Sequence, residues 1–144
     1  MISRTSGILL VSYILVFLGG FGYLVSPSPE IAGVIHDSEA LIWGLFYLAG
    51  GLIAAIFTGL RPILLTKITP LWYFEVAGIS LIVSANLVHM YALYEIALMT
   101  GQVNLLALAA VIIAYTLTLI GRCVEVLSLI RYLSQFALTP DSEG

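Results

Sequence analysis

Long uninterrupted stretches of apolar residues alternate with short polar segments along this chain. Four such stretches cover residues 7–25, 40–60, 71–98 and 103–121. About 20 apolar residues cross the roughly 30 Å hydrocarbon core of a bilayer, so each stretch is long enough to span it. Strands of a membrane barrel would alternate polar and apolar residues over about ten positions, whereas these runs are continuous. The pattern therefore predicts an all-α membrane protein, with four transmembrane helices in a single domain over residues 1–144.

The segments between the stretches carry residues that end helices. Two prolines in Ser26-Pro27-Ser28-Pro29 close the first span, and Arg61-Pro62 and Thr69-Pro70 flank the second connection. Proline has no N–H to donate and disfavours helix at the residue before it. Thr100-Gly101-Gln102 leaves only a very short third turn, which predicts that the third and fourth helices are antiparallel neighbours.

Composition narrows the class of protein. Hydrophobic residues make up 61% and charged residues 9% of the chain, against about 45–50% and 25% in soluble domains, and a small soluble domain could not bury so much apolar surface. One cysteine excludes a disulfide framework. The net charge of −3, without a basic cluster, argues against nucleic acid as a partner. We find no catalytic constellation, so neither an enzyme nor a cofactor is expected.

The basic residues predict the orientation. With the N-terminus inside, every lysine and arginine falls on the cytoplasmic side: Arg4, Arg61, Lys67, Arg122 and Arg131. This asymmetry predicts a multi-pass protein of the cytoplasmic membrane, with both termini in the cytoplasm. The first stretch is longer than the apolar region of a signal peptide and no A-x-A-like site precedes Pro27, so we expect a retained anchor.

The third span holds the polar residues within the membrane. At 100° per residue, Glu75, Asn86 and His89 fall on one face, and Ser80 and Ser84 fall on the opposite side. Such a face either lines a pore or forms hydrogen bonds between helices, and we favour the second interpretation. Near the two ends of the span, Glu75 and Glu95 are expected to reach water.

A haem site is disfavoured by the histidine count. The only possible imidazole partner for His89 is His36 in the outer loop, and no Cys-x-x-Cys-His motif is present. A metal site built from histidine and carboxylates is disfavoured as well.

Small residues predict close helix packing. Gly51, Ala55 and Gly59 form a ladder at four-residue spacing in the second span, and such ladders let two helix backbones approach closely. The ladder packs either within one four-helix monomer, which we favour, or between copies in a homo-oligomer.

The fourth helical pattern continues as an amphipathic extension over residues 122–136. It places Arg122, Glu125 and Arg131 on one half of a helical wheel, which suits a helix at the cytoplasmic interface. We expect Arg122 to pair with Glu125 at i,i+3 or with Glu75 of the third span. Cys123 is interpreted as a packing residue, with palmitoylation as the alternative.

The second half of the chain resembles the small four-helix, holin-like membrane proteins encoded by phages of actinobacteria. The resemblance covers roughly residues 71–136 and consists of Glu75-Val-Ala-Gly78, Tyr91-Ala92, Gly101 and the arginine-led amphipathic tail from Arg122 to Phe136. It implies a homo-oligomer, surrounded by membrane lipid, that permeabilises the cytoplasmic membrane of a bacterial host during lysis.

Two alternatives remain open at this point. The chain could be a structural or accessory membrane subunit with a membrane-protein partner, including a virion membrane protein. It could also be a small transporter or proton channel that uses Glu75, Asn86, His89 and Glu95.

Overall fold

The computed structural model describes residues 4–26, 37–60 and 69–137, and it is helical almost throughout these ranges. The four helices are α1 (Arg4–Val25), α2 (Asp37–Leu60), α3 (Thr69–Thr100) and α4 (Val103–Ala137). All four are long and apolar enough to cross a membrane. The prediction of an all-α chain with four helices able to span a membrane is therefore confirmed, and these helices indicate a multi-pass membrane protein. The predicted breaks at Pro27-Ser28-Pro29 and Arg61-Pro62 lie outside the described residues.

Two helices differ in length from the predicted spans. The apolar part of α3 continues to Thr100 rather than ending at residue 98, and that of α4 continues to Tyr132 rather than ending at residue 121. The helix is continuous through Gly121. The predicted span ended before the first charge, Arg122, and the helix was predicted to continue as an amphipathic extension over residues 122–136. The Arg122 side chain is paired inside the bundle, as described below.

The helices form a bundle in which each one packs mainly on its neighbours in the chain. The pairs α1–α2, α2–α3 and α3–α4 are extensive, whereas the backbones of α1 and α4 meet at no more than isolated points within the described ranges. The first three helices run alternately up and down, because Tyr23 near the end of α1, Trp43 near the start of α2 and Ala92 towards the end of α3 lie together. The bundle is therefore open on one side at the level of the backbone, and side chains close it.

Glycines bring the first three helices into backbone contact. A Cβ atom placed on Gly51 would lie 2.6 Å from the backbone nitrogen of Phe17 in α1. One placed on Gly78 of α3 would lie 2.7 Å from the backbone nitrogen of Ala54 in α2. Both distances are too short for any side chain, so these positions require glycine for the observed packing.

The predicted ladder in α2 therefore faces α1 of the same chain along part of its length. A Cβ atom on Gly59 would make an ordinary contact with Leu10 at 3.7 Å. Between the two glycines, Ala55 packs against the central core that includes Tyr13. Within the described residues, these contacts belong to one four-helix unit.

The hydrophobic core has a central part and two smaller parts. The central cluster takes residues from every helix: Tyr13, Ala54, Ile79, Ile82 and Leu119. Towards the turn at Gly101 the core divides. One part joins α3 to α4 and contains Leu93, Ile96, Ala97, Leu105 and Ala109. The other joins α1, α2 and α3 around Ala92. Among the described residues, α1 and α4 thus share the central cluster but neither of the two smaller ones.

The connection between α3 and α4 is a two-residue turn, as predicted. Gly101 adopts a φ of 70°, and its N–H donates to the carbonyl of Ala97 at 2.9 Å. This is the left-handed helix cap for which glycine is the favoured residue. The turn fixes α3 and α4 as antiparallel neighbours.

Exposed tyrosines mark both ends of α3. Tyr73 is half-exposed near its beginning, and Tyr91 and Tyr94 are exposed towards its end. Tyr94 follows Tyr73 by 21 positions, which is about 31 Å at 1.5 Å per residue. This spacing matches the hydrocarbon thickness of a bilayer, at whose interfaces tyrosine is enriched.

Candidate functional site

A buried ion pair joins α3 to α4 near the end of the bundle where α1 begins. The Arg122 Nε atom donates to Glu75 Oε1 at 3.1 Å, and the same guanidinium donates through Nη1 to Glu125 Oε2. The side chain of Glu75 is 1% exposed and that of Arg122 is 10% exposed, whereas that of Glu125 is 66% exposed. Both predicted pairings of Arg122 are confirmed, and together they link the interior to the surface.

One expectation about this pair is wrong. Glu75 was expected to reach water from the end of its span, but its side chain is buried and is paired with Arg122 of α4. Of the other residues assigned to this end, Arg131 is exposed on the last turns of α4. The side chain of Arg4 and residues Arg61 and Lys67 lie outside what the structure describes.

A second polar cluster lies deeper in the bundle. Asn86 of α3 accepts a hydrogen bond from the Tyr47 hydroxyl of α2 at 2.8 Å, and its Nδ2 donates to Thr116 Oγ1 of α4 at 2.9 Å. Thr116 in turn donates to the carbonyl of Ile112 at 2.7 Å. The buried amide therefore bridges three helices, and the Asn86 side chain is used for hydrogen bonding between helices.

His89 lies one turn further along the same face of α3. Its ring is flanked by Tyr23 of α1 and Tyr47 of α2, with ring centroids at 6.2 and 6.4 Å. His36, the only imidazole that could have joined it in the disfavoured haem site, lies outside the described residues. The two serines on the opposite face are exposed, and each hydroxyl donates to the carbonyl four residues earlier: Ser80 to Val76 and Ser84 to Ser80.

Side chains alone close the open side of the bundle between α1 and α4. We call this contact zone the α1–α4 seam; it consists of Ser12 and Tyr13 on α1 and Tyr115 and Leu119 on α4. The hydroxyls of Ser12 and Tyr115 are 3.2 Å apart and share a hydrogen bond. Tyr13 and Leu119 are both fully buried and belong to the central core. The α1–α4 seam adjoins the polar interior, because Tyr115 directly precedes Thr116, the partner of Asn86.

The Tyr13 hydroxyl is enclosed without a hydrogen-bond partner among the described residues. The side chain is 0% exposed, and the hydroxyl is inaccessible to water. Glu75, Arg122 and Tyr115 lie close enough to act on it electrostatically. Thr58 of α2 carries the other such hydroxyl in the part of the chain that the structure describes.

Sequence reasoning missed the part that α1 plays in this interior. Ser12 and Tyr13 sit in a span that is apolar all round, and nothing in its periodicity marks the side that faces α4. The tyrosines themselves were a usable signal. Tyr13, Tyr23, Tyr47 and Tyr115 carry hydroxyls in otherwise apolar stretches, and buried tyrosine hydroxyls usually find a partner.

No group of three or more histidine, cysteine, aspartate or glutamate side chains that could hold a metal ion occurs among the described residues. No protein-family model, no curated protein and no solved structure matches this chain.

Proposed function

We propose that this chain is a holin-like integral membrane protein, which assembles with further copies of itself and permeabilises the cytoplasmic membrane of a bacterial host. In this proposal both termini lie in the cytoplasm, and the final turns of α4, with Arg122, Glu125 and Arg131, lie at the cytoplasmic interface. The basic residues of the sequence support that orientation.

One observation carries the proposal: the α1–α4 seam lies beside buried polar groups. Tyr13 is close enough to Glu75 and Arg122 to interact with them electrostatically. Tyr115 directly precedes Thr116, which is hydrogen-bonded to Asn86. The seam is closed by one hydrogen bond and by apolar contacts of Tyr13 and Leu119, without the glycine-mediated backbone contact that joins α1 to α2 and α2 to α3. Separating α1 from α4 is therefore the least costly way to open the unit. It would uncover the seam residues, the Glu75–Arg122 pair and Thr116, which together could line water.

Assembly with further copies would place the polar groups exposed by opening in an aqueous environment. An opened unit in plain lipid would expose charged and polar groups to hydrocarbon, which is strongly unfavourable. Several units opened side by side can instead turn these groups towards a shared aqueous lumen and keep their apolar surfaces on lipid. Hole formation would then depend on both copy number and seam opening, as expected of a protein that accumulates before it acts.

A reversible cross-link across the seam tests the proposal. In a variant with Cys123→Ser, the changes Ser12→Cys and Tyr115→Cys allow a disulfide-containing bis-maleimide to join α1 to α4. We expect vesicles with the unlinked variant to release an entrapped dye, the linked form to release little, and a reducing agent that cleaves the linker to restore release.

The matched control places the same linker between α2 and α3. The rings of Phe57 and Phe74 stack with their centroids 4.7 Å apart. With Phe57→Cys and Phe74→Cys, the linker therefore joins α2 to α3, which are not expected to separate during hole formation. Equal leakage with either link would remove the α1–α4 seam from the mechanism. An absence of dye release from the unmodified chain, even at high density, would overturn the proposal.

A structural or accessory subunit is the second candidate, and one observation favours it. Glycines bring α1, α2 and α3 into backbone contact, and Asn86 joins α2, α3 and α4. Such a unit could serve as a rigid scaffold for a partner protein. Gentle detergent extraction from the native membrane decides between the two roles. A stoichiometric partner without any leakage activity would favour the subunit.

A further inference from the structure

We infer that the unpartnered Tyr13 hydroxyl biases the bundle towards opening along the α1–α4 seam, and thereby sets how readily a closed copy becomes competent to form a hole. The use made of the opening rests on the proposed function; the opening itself does not. The inference starts from an asymmetry between two tyrosines at the seam. Tyr115 has a hydrogen bond with Ser12 across it, whereas the hydroxyl of Tyr13 is enclosed with no partner among the described residues.

The two hydroxyls act on the equilibrium in opposite directions. An enclosed hydroxyl without a partner raises the free energy of the closed state, because it has given up its hydrogen bonds with water. Once water enters, the Tyr13 hydroxyl regains those bonds, so opening is favoured. The Ser12–Tyr115 hydrogen bond is formed in the closed state and is lost when the helices part. Tyr13 thus promotes opening and Tyr115 opposes it.

On opening, water would reach Tyr13 from the end of the bundle that carries the Glu75–Arg122 pair. Glu125, which shares Arg122 with Glu75, is largely exposed, whereas Glu75 is buried. Arg122 and Glu75 lie close to the Tyr13 hydroxyl. In the proposed orientation Glu125 lies at the cytoplasmic interface, and a small separation of α1 from α4 at this level would let water pass from Glu125 to the enclosed hydroxyl. The ion pair therefore marks the end from which the seam is wetted.

Cys123 provides a reporter for this event within the natural sequence. It is half-buried on α4, one turn after Leu119, and packs against the central core that contains Tyr13. A positively charged methanethiosulfonate reagent reacts with the thiolate in water and does not partition into hydrocarbon. Opening of the seam should therefore raise the rate at which this reagent modifies Cys123.

The same substitution at the two tyrosines is expected to have opposite effects. Tyr13→Phe removes the unpartnered hydroxyl and should slow modification of Cys123 by about fivefold or more, since such a hydroxyl shifts an equilibrium by about 5- to 150-fold. Tyr115→Phe removes the Ser12 hydrogen bond and should speed modification. Tyr73→Phe, at an exposed position outside the seam, should leave the rate unchanged.

The measurement is made on the full chain in vesicles, with dye release recorded in parallel. Unchanged or faster modification in Tyr13→Phe would overturn the inference. If Tyr13→Phe slows modification but no form of the protein releases dye, the seam opens as inferred and the hole-forming function fails. A slower modification together with delayed dye release supports both.

Discussion

Arg122 is the residue on which the charged part of the interior depends. The sequence predicted both of its carboxylate partners, because i,i+3 spacing fixes Glu125 and because Glu75 falls on the same side of the membrane. It did not predict that Glu75 would be buried. Burial depends on the register between α3 and α4, which is set by the turn at Gly101 and by packing that one sequence does not reveal.

Replacing Arg122 should destabilise the bundle far more than replacing its exposed partner. In Arg122→Met the buried Glu75 carboxylate loses its guanidinium, which costs about 3–5 kcal/mol for a buried ion pair. In Glu125→Gln only the exposed arm of the pair is lost, at about 0–1 kcal/mol. The midpoint of thermal unfolding in detergent should therefore fall strongly in the first variant and little in the second. Similar shifts in both would mean that Glu75 does not depend on Arg122.

At the scale of the element, the pattern of apolar residues was sufficient to predict four helices and the short third turn. It was not sufficient to orient them about their own axes. Only α3 carries enough polar residues to mark an inner face. Asn86 lies on this face and is hydrogen-bonded to partners on α2 and α4. The inner sides of α1 and α2 are marked by glycine and tyrosine instead, such as Gly51 and Tyr13, and in a lipid-facing helix these residues do not contrast with their neighbours.

Two glycine-to-alanine substitutions should change stability in opposite directions. Gly51→Ala would place a methyl group 2.6 Å from the Phe17 nitrogen, so α1 and α2 must move apart, at about 1–3 kcal/mol for overpacking. Gly19→Ala on α1 meets nothing within 4 Å and should stabilise the helix by about 0.5–1 kcal/mol through lower chain entropy. Thermal unfolding of the two purified variants in one detergent provides the comparison. A stabilised Gly51→Ala would contradict the close contact of α1 with α2.

At the scale of the whole molecule, the sequence predicted the class of protein but not how the helices associate. Composition and the length of the apolar runs fix a four-span membrane protein. Neither reveals that, among the described residues, α1 and α4 share only the central cluster, since this depends on how the core divides near Gly101. The α1–α4 seam was therefore beyond sequence reasoning, although Glu75 and Arg122, which lie near it, were identified.

The topology is open to a direct test. The distribution of lysine and arginine predicts that both termini lie in the cytoplasm and that residues 28–38 lie on the opposite side of the membrane. A reporter fused after Gly144 should be active on the cytoplasmic side, and one inserted within residues 28–38 should be active on the opposite side. Reporter activity on the same side at both positions would contradict the predicted four-span topology.

The position of Arg122 in the last helix has a consequence for biosynthesis. A membrane chain is made from its N-terminus, so α1, α2 and α3 leave the ribosome before α4 does. During that interval Glu75 is without the cation that later neutralises it, and Asn86 is without Thr116. Packing of α4 therefore both completes and closes the polar interior. Insertion of this last helix is the step at which the nascent chain reaches its final fold.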